Sequence, residues 1–171
     1  ITGGQGVHIV YAYDFIKIRR PRSFLAATRL GAMGYAFPAA IGAKLALPDH
    51  EVIAVVGDGD FMMGVGELET IVRENIPVKV VVVNDMSYRV LLLRQKIQRR
   101  GRVIGTLLEN PSFEALARTF GALGATVSDD GEIDSVIDEM LGSDKPFIVD
   151  LRISQEDVPP LNIEASIRIA E

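Results

Sequence analysis

Cysteine and tryptophan are absent from these 171 residues, and histidine occurs only twice. Without cysteine there is no disulfide, no thiolate nucleophile and no thiolate-bound metal, which leads us to expect a cytoplasmic setting. No apolar stretch approaches the ~20 residues that a membrane-spanning helix needs, so membrane insertion is not expected. Repeats, low-complexity tracts and a signal-peptide pattern are also missing. The chain starts at Ile1 rather than methionine, and we expect a piece of a larger polypeptide.

What is present describes a globular chain. Hydrophobic residues make up 48% and mean hydropathy is +0.23, enough for one domain with a real core. The net charge of −5 is unevenly placed: residues 1–102 carry 14 basic and 9 acidic side chains, and residues 103–171 carry 4 and 14. The basic half also holds the motifs below, as phosphate recognition would favour, although chance asymmetry of solvated faces explains it as well.

Gly57-Asp58-Gly59 follows an apolar run, 51–56, that reads as a buried strand. A second run, 78–83, leads into Asn84-Asp85. Parallel strands would bring Asp58 and Asp85 to one sheet edge at their C-terminal ends, where open α/β sheets bind ligands. Paired carboxylates there suit a hard cation such as Mg²⁺ carrying a phosphate. Taken alone, a Gly-Asp-Gly after a strand is as often only a tight turn. Between the two pairs, Met62, Val65, Leu68, Ile71 and Val72 recur at helical spacing over 61–75, and Pro77 ends the helix. Its N-terminus, a ready anion site, falls beside Asp58.

The remaining elements alternate. Val7, Val10, Tyr11 and Phe15 mark a first helix, a basic loop spans 17–22, and a helix rich in small residues covers 34–47. Asn110 as N-cap and Pro111 in the first turn open a helix that Gly121 closes. A short strand near 125–127 and an amphipathic helix over 130–141 follow, the helix with Ile133, Val136, Ile137, Met140 and Leu141 inward; the last strand covers 146–153. The pattern predicts an α/β fold, a doubly wound parallel sheet with helices on both faces. Residues 1–156 form the expected domain, and 157–171 a peripheral tail.

Four stretches carry a family resemblance: 30–46, 57–70, 75–84 and 110–121. They resemble the thiamine diphosphate-binding C-terminal domain of the acetolactate synthase and 2-oxo-acid decarboxylase superfamily, over the chain from about His8 to Arg152. The resemblance implies thiamine diphosphate and Mg²⁺ as cofactors. Asp58, Asp85 and the Ser87 carbonyl would hold the metal. Gly57 belongs to the same motif, Gly59 and Asp60 would offer main-chain N–H groups to the phosphates, and His8 would approach the diphosphate. The Gly31 carbonyl would accept from the cofactor's amino group, and Met33 would wedge between its rings. Without the family, Met33 reads as core filler and His8 as a polar residue near a chain end.

No catalytic acid or base is identified in this chain. The family's activating glutamate lies in a pyrimidine-binding domain of the same or another chain, so that domain is an expected partner, in a homo- or hetero-oligomer. The implied reaction is decarboxylation of a small 2-oxo acid followed by carboligation. Two alternatives stand beside it: a separately encoded subunit of a sulfopyruvate-type decarboxylase, and a non-catalytic relict that only binds or assembles.

Several residues depart from the family pattern. Asp85 replaces a usual asparagine, Gly64 and Gly66 replace asparagine and glutamine, and Arg29 and Arg89 replace glycines; the tryptophan common in acetolactate synthases is missing. Arg89, Arg94, Lys96, Arg99, Arg100 and Arg102 form a basic run without an acid. A solvated face explains such a run, and attraction of an anionic substrate is the functional alternative. No aromatic platform accompanies it, so nucleic acid is not an expected partner.

Overall fold

The computed structural model describes residues 1–156; the expected tail, 157–171, lies outside the described residues. In chain order the elements are β1 (Thr2–Gly3), α1 (His8–Phe15), β2 (Leu25–Ala26), α2 (Ala36–Ala46), β3 (Ile53–Gly57), α3 (Asp58–Met62), α4 (Glu67–Arg73) and β4 (Lys79–Asn84). They continue with α5 (Arg89–Gln98), α6 (Phe113–Phe120), β5 (Leu123–Val127), α7 (Ile133–Gly142) and β6 (Phe147–Arg152). The strands form one sheet in the order β2-β1-β3-β4-β6-β5, every neighbouring pair parallel.

Alternate residues of the central strands face opposite layers. Ala54, Val56, Val80, Val82 and Ile148 pack with Phe37 of α2, Leu68 and Ile71 of α4, and Phe113 and Ala117 of α6. On the other face, Ile53, Val81, Phe147 and Val149 pack with Ile133, Val136 and Met140 of α7. Helices on both faces bury both sides of β3 and β4, which is why these strands are continuous apolar runs. The predicted doubly wound α/β architecture is the one observed.

The winding reverses between β1 and β3. From β1 the chain moves outward to β2, then returns to β3 and proceeds the other way. Such a reversal opens a crevice at the C-terminal strand ends. The segments after β1 and after β3 both enter it.

Local departures from the sequence reading have local causes. The helix expected over 61–75 is two, α3 and α4, broken around Gly64 and Gly66, which weaken helical continuity. In α1 the buried side chains are His8, Ile9 and Ala12, whereas Phe15 is exposed. In α7, Ile137 and Leu141 are exposed rather than inward. The cap of α6 is Ser112, whose Oγ accepts from the Ala115 N–H at 3.2 Å, and not Asn110. Gly121 does end α6, in the left-handed conformation at φ 95°. Strands β1 and β2, two residues each, are too short to show a period.

Phe61, two residues after the Gly-Asp-Gly motif, ties it to the core. Its ring lies 5.4 Å from that of Phe37 and 5.4 Å from that of Phe113, the latter edge-on. Phe61→Ala should therefore cost about 3–5 kcal/mol in urea unfolding. A loss below about 1 kcal/mol would show that the motif is not anchored by this aromatic row.

Candidate functional site

The crevice is a cavity of about 220 Å³ whose lining includes His8, Gly31, Met33, Gly57, Asp58, Gly59, Asp60, Asp85 and Ser87. All nine sequence-predicted site residues therefore meet in one place, although they span more than 75 positions of the chain.

Asp58 is the first residue of α3 and is almost fully buried. Its Oδ1 accepts from the Gly59 N–H at 2.9 Å. Its Oδ2 accepts from Asn110 Nδ2 at 2.6 Å and from the Ser87 N–H at 3.2 Å. Asp85 lies just beyond the end of β4. Its Oδ1 accepts from Ser87 Oγ at 2.8 Å, and its Oδ2 is 3.4 Å from Arg89 Nη1. Burial pushes the Asp58 carboxyl above its ordinary range, hydrogen bonds from Gly59 and Asn110 pull it back, and the charge of Asp85 adds to the upward push. Burial raises Asp85 as well, against the Ser87 hydroxyl and Arg89.

Two buried carboxylates at one edge, held by fixed donors, are a donor set that a hard divalent cation completes with main-chain oxygen, water and phosphate. Among the described residues no group of three or more His, Cys, Asp or Glu side chains is placed to hold a metal. Such an ion would thus take no third His, Cys, Asp or Glu side chain from the described residues. The chemistry of the set fits Mg²⁺ with a diphosphate.

Asp60 does more than its expected main-chain role. Its carboxylate accepts from the Gln5 N–H at 3.2 Å and from the Gly34 N–H, bracing the segment after β1 and the 31–34 turn against α3. That turn needs glycine at both ends, with φ of 62° at Gly31 and 80° at Gly34. Half-buried Met33 is thereby presented to the cavity. Glycine is needed again at Gly57, where a Cβ would come within 2.9 Å of His8 Nδ1. His8 is buried, with Nε2 lacking a hydrogen-bond partner among the described residues. Burial lowers its pKa to about 4, so it is neutral at pH 7.

Sequence reasoning missed the scaffold behind Asp58. Asp150, fully buried on β6, accepts from Asn84 Nδ2 at 2.8 Å, from the Phe113 N–H at 3.2 Å and from Arg152 Nη2 at 2.8 Å. Asn84 Oδ1 in turn accepts from Asn110 Nδ2 at 3.2 Å, and Asn110 reaches Asp58. The one available signal was Asp150 itself, an acid directly after the apolar run 147–149 of β6. Of the two arginines at expected glycine positions, Arg29 is exposed and does not line the cavity, whereas Arg89 is buried and does. The other five basic residues of the run are exposed on or after α5.

Comparison with known proteins matches residues 4–151 to the family described as "Thiamine pyrophosphate enzyme, C-terminal TPP binding domain". Relatives include the acetolactate synthase isozyme 2 large subunit of Escherichia coli, 35% identical, with 94% of this chain and 30% of the relative covered. Acetolactate synthase 2 of Nicotiana tabacum chloroplasts is 35% identical, covering 94% of this chain and 26% of its own length. Among solved structures, the Rhodococcus jostii thiamine diphosphate-dependent 4-hydroxybenzoylformate decarboxylase superposes with a TM-score of 0.82 at 26% identity, over 90% of this chain and 29% of that one. The chain thus spans less than a third of the length of these proteins.

The buried neutral imidazole of His8 makes stability depend on pH. Its folded pKa of about 4 lies below the ordinary 6.5, so between these values the unfolded chain binds more protons and stability rises with pH. Acidification from pH 7 to pH 5 should remove about 2 kcal/mol through this group. His8→Asn should lack that component, read as the difference between the two proteins' urea curves at each pH, which cancels the carboxylates. Equal pH dependence in both proteins would refute the assignment.

Proposed function

The chain belongs to the thiamine pyrophosphate enzyme family, as its C-terminal TPP-binding domain, and on that premise we propose that the cavity holds the diphosphate end of the cofactor, with Mg²⁺, in an enzyme acting on 2-oxo acids. The observation that carries this reading is the convergence of His8, Met33, Asp58 and Asp85 on one cavity at the point where the sheet winding reverses.

In this reading Asp58, Asp85 and the Ser87 carbonyl would hold the metal, and the asparagine scaffold fixes Asp58 with a hydrogen bond that favours its ionised form. Gly57, Gly59 and Asp60 present main chain to the phosphates. Neutral His8 offers Nε2 as an uncharged hydrogen-bonding group. The Gly31 carbonyl would accept from the aminopyrimidine, and Met33, which lines the same cavity, would pack against the cofactor. Bound thiamine diphosphate supplies a nucleophilic carbon for the 2-oxo group and an electron sink for loss of CO₂.

The chain binds and orients; it contributes no acid or base. The activating glutamate comes from a pyrimidine-binding domain of the same or another chain, within a homo- or hetero-oligomer. Carboligation after decarboxylation is the reaction favoured, given the acetolactate synthases among the relatives. No helix of the described residues is long and apolar enough to cross a membrane, and a cytoplasmic setting accords with the absence of cysteine.

Calorimetry on the complete enzyme, this domain with its pyrimidine-binding partner, should show thiamine diphosphate binding that requires Mg²⁺. Asp58→Ala should weaken it by about 100-fold or more. Undiminished affinity in that variant would refute the metal role. Acetolactate formation from pyruvate, as against CO₂ release alone, would separate carboligation from simple decarboxylation.

A further inference from the structure

The Asp85–Arg89 pair is left unexplained by that reading. Arg89 opens α5, where the helix dipole disfavours a cation. It is also buried, with 6% of its side chain exposed, beside an Asp85 side chain that is 8% exposed. Burying an arginine is unfavourable unless its charge is paired. The ionisable side chains of the cavity lining are Asp58, Asp60, Asp85, His8, Tyr11, Tyr88 and Arg89. With His8 neutral, Arg89 is the only cationic side chain among the described residues of that lining, which also holds three carboxylates. Every other basic residue of the run 89–102 points to solvent.

We propose that Arg89 is a phosphate-recognising residue of the cofactor site, held in place by Asp85. This rests on the cavity being the diphosphate site. The pair leaves positions 85 and 89 with no net charge, so Asp85 can serve a cation without repelling the polyanion. Arg89 lines the same cavity as Asp58 and Asp85, and its planar fork of donors would suit the oxygens of a diphosphate held there. The chain then carries a fixed cation in its diphosphate site in addition to the divalent one, and cofactor binding depends less steeply on Mg²⁺.

The test is titration calorimetry of the complete enzyme with thiamine diphosphate, at saturating Mg²⁺ and again in EDTA. Wild type should retain measurable binding in EDTA. Arg89→Gln should lose about tenfold or more under both conditions, and Arg89→Lys should recover part of the loss. Asp85→Asn should tighten binding in EDTA, because it removes a negative charge that competes with the diphosphate for the guanidinium, and the double variant Asp85→Asn/Arg89→Gln should lose that gain. Thermal melting of each variant identifies any that fail to fold, and Arg89→Lys then carries the comparison.

Arg89→Gln binding as tightly as wild type in both conditions would overturn the proposal and leave the cofactor reading intact. Equal losses for Arg89→Gln and Arg89→Lys, with an unchanged Mg²⁺ dependence, would also overturn it, since that is the signature of a purely structural arginine. Absence of Mg²⁺-supported binding in wild type would overturn both readings.

Discussion

Strands β3 and β4 lie side by side, parallel and in register, with Gly57 opposite Val83. This pairing is the constraint on which the site depends. Because β4 ends only one residue beyond the level at which β3 stops, the residues that follow them, Asp58 and Asp85, emerge at one edge, and Ser87 comes within reach of both carboxylates. A slip of one residue would turn every side chain of one strand to the opposite layer. Valines at 80 and 82 would leave the core shared with α2, α4 and α6, so packing of the whole domain defends the geometry of two carboxylates.

Around that pairing the protein assembles polar groups that would be unfavourable alone. Asp150 is buried beyond reach of solvent but receives three hydrogen bonds, and through Asn84 and Asn110 its influence ends at Asp58. Fully satisfied networks of this kind rigidify rather than weaken a core. Asp60 plays the corresponding part on the other side, tying the 31–34 turn and the segment after β1 to α3. The cavity walls are thus braced by hydrogen bonds within the protein itself, which lowers the ordering cost of binding.

Much was legible in the sequence because it is periodic or positional. Continuous apolar runs announced the buried parallel strands, and small residues at helical spacing announced α2. The split between α3 and α4 was missed because helical apolar spacing persists across Gly64 and Gly66. Asn110 was misread because an Asn-Pro pair is an equally good cap signal; its actual role, donating to Asp58, depends on a residue 52 positions earlier in the chain. Likewise, a basic run cannot show that Arg89 turns inward while the arginines after it face solvent.

The sequence by itself determined the alternation of strands and helices, the family, and the order in which the motif residues arrive at their strand ends. These follow from local chemistry: propensity, period and the conformations only glycine adopts. Tertiary structure alone decided which polar atoms meet. The chain of hydrogen bonds that links Asp150 through Asn84 and Asn110 to Asp58, and the buried pairing of Asp85 with Arg89, depend on ångström-scale distances between segments. Those distances are set by sheet register and by packing on two faces, which no local pattern encodes.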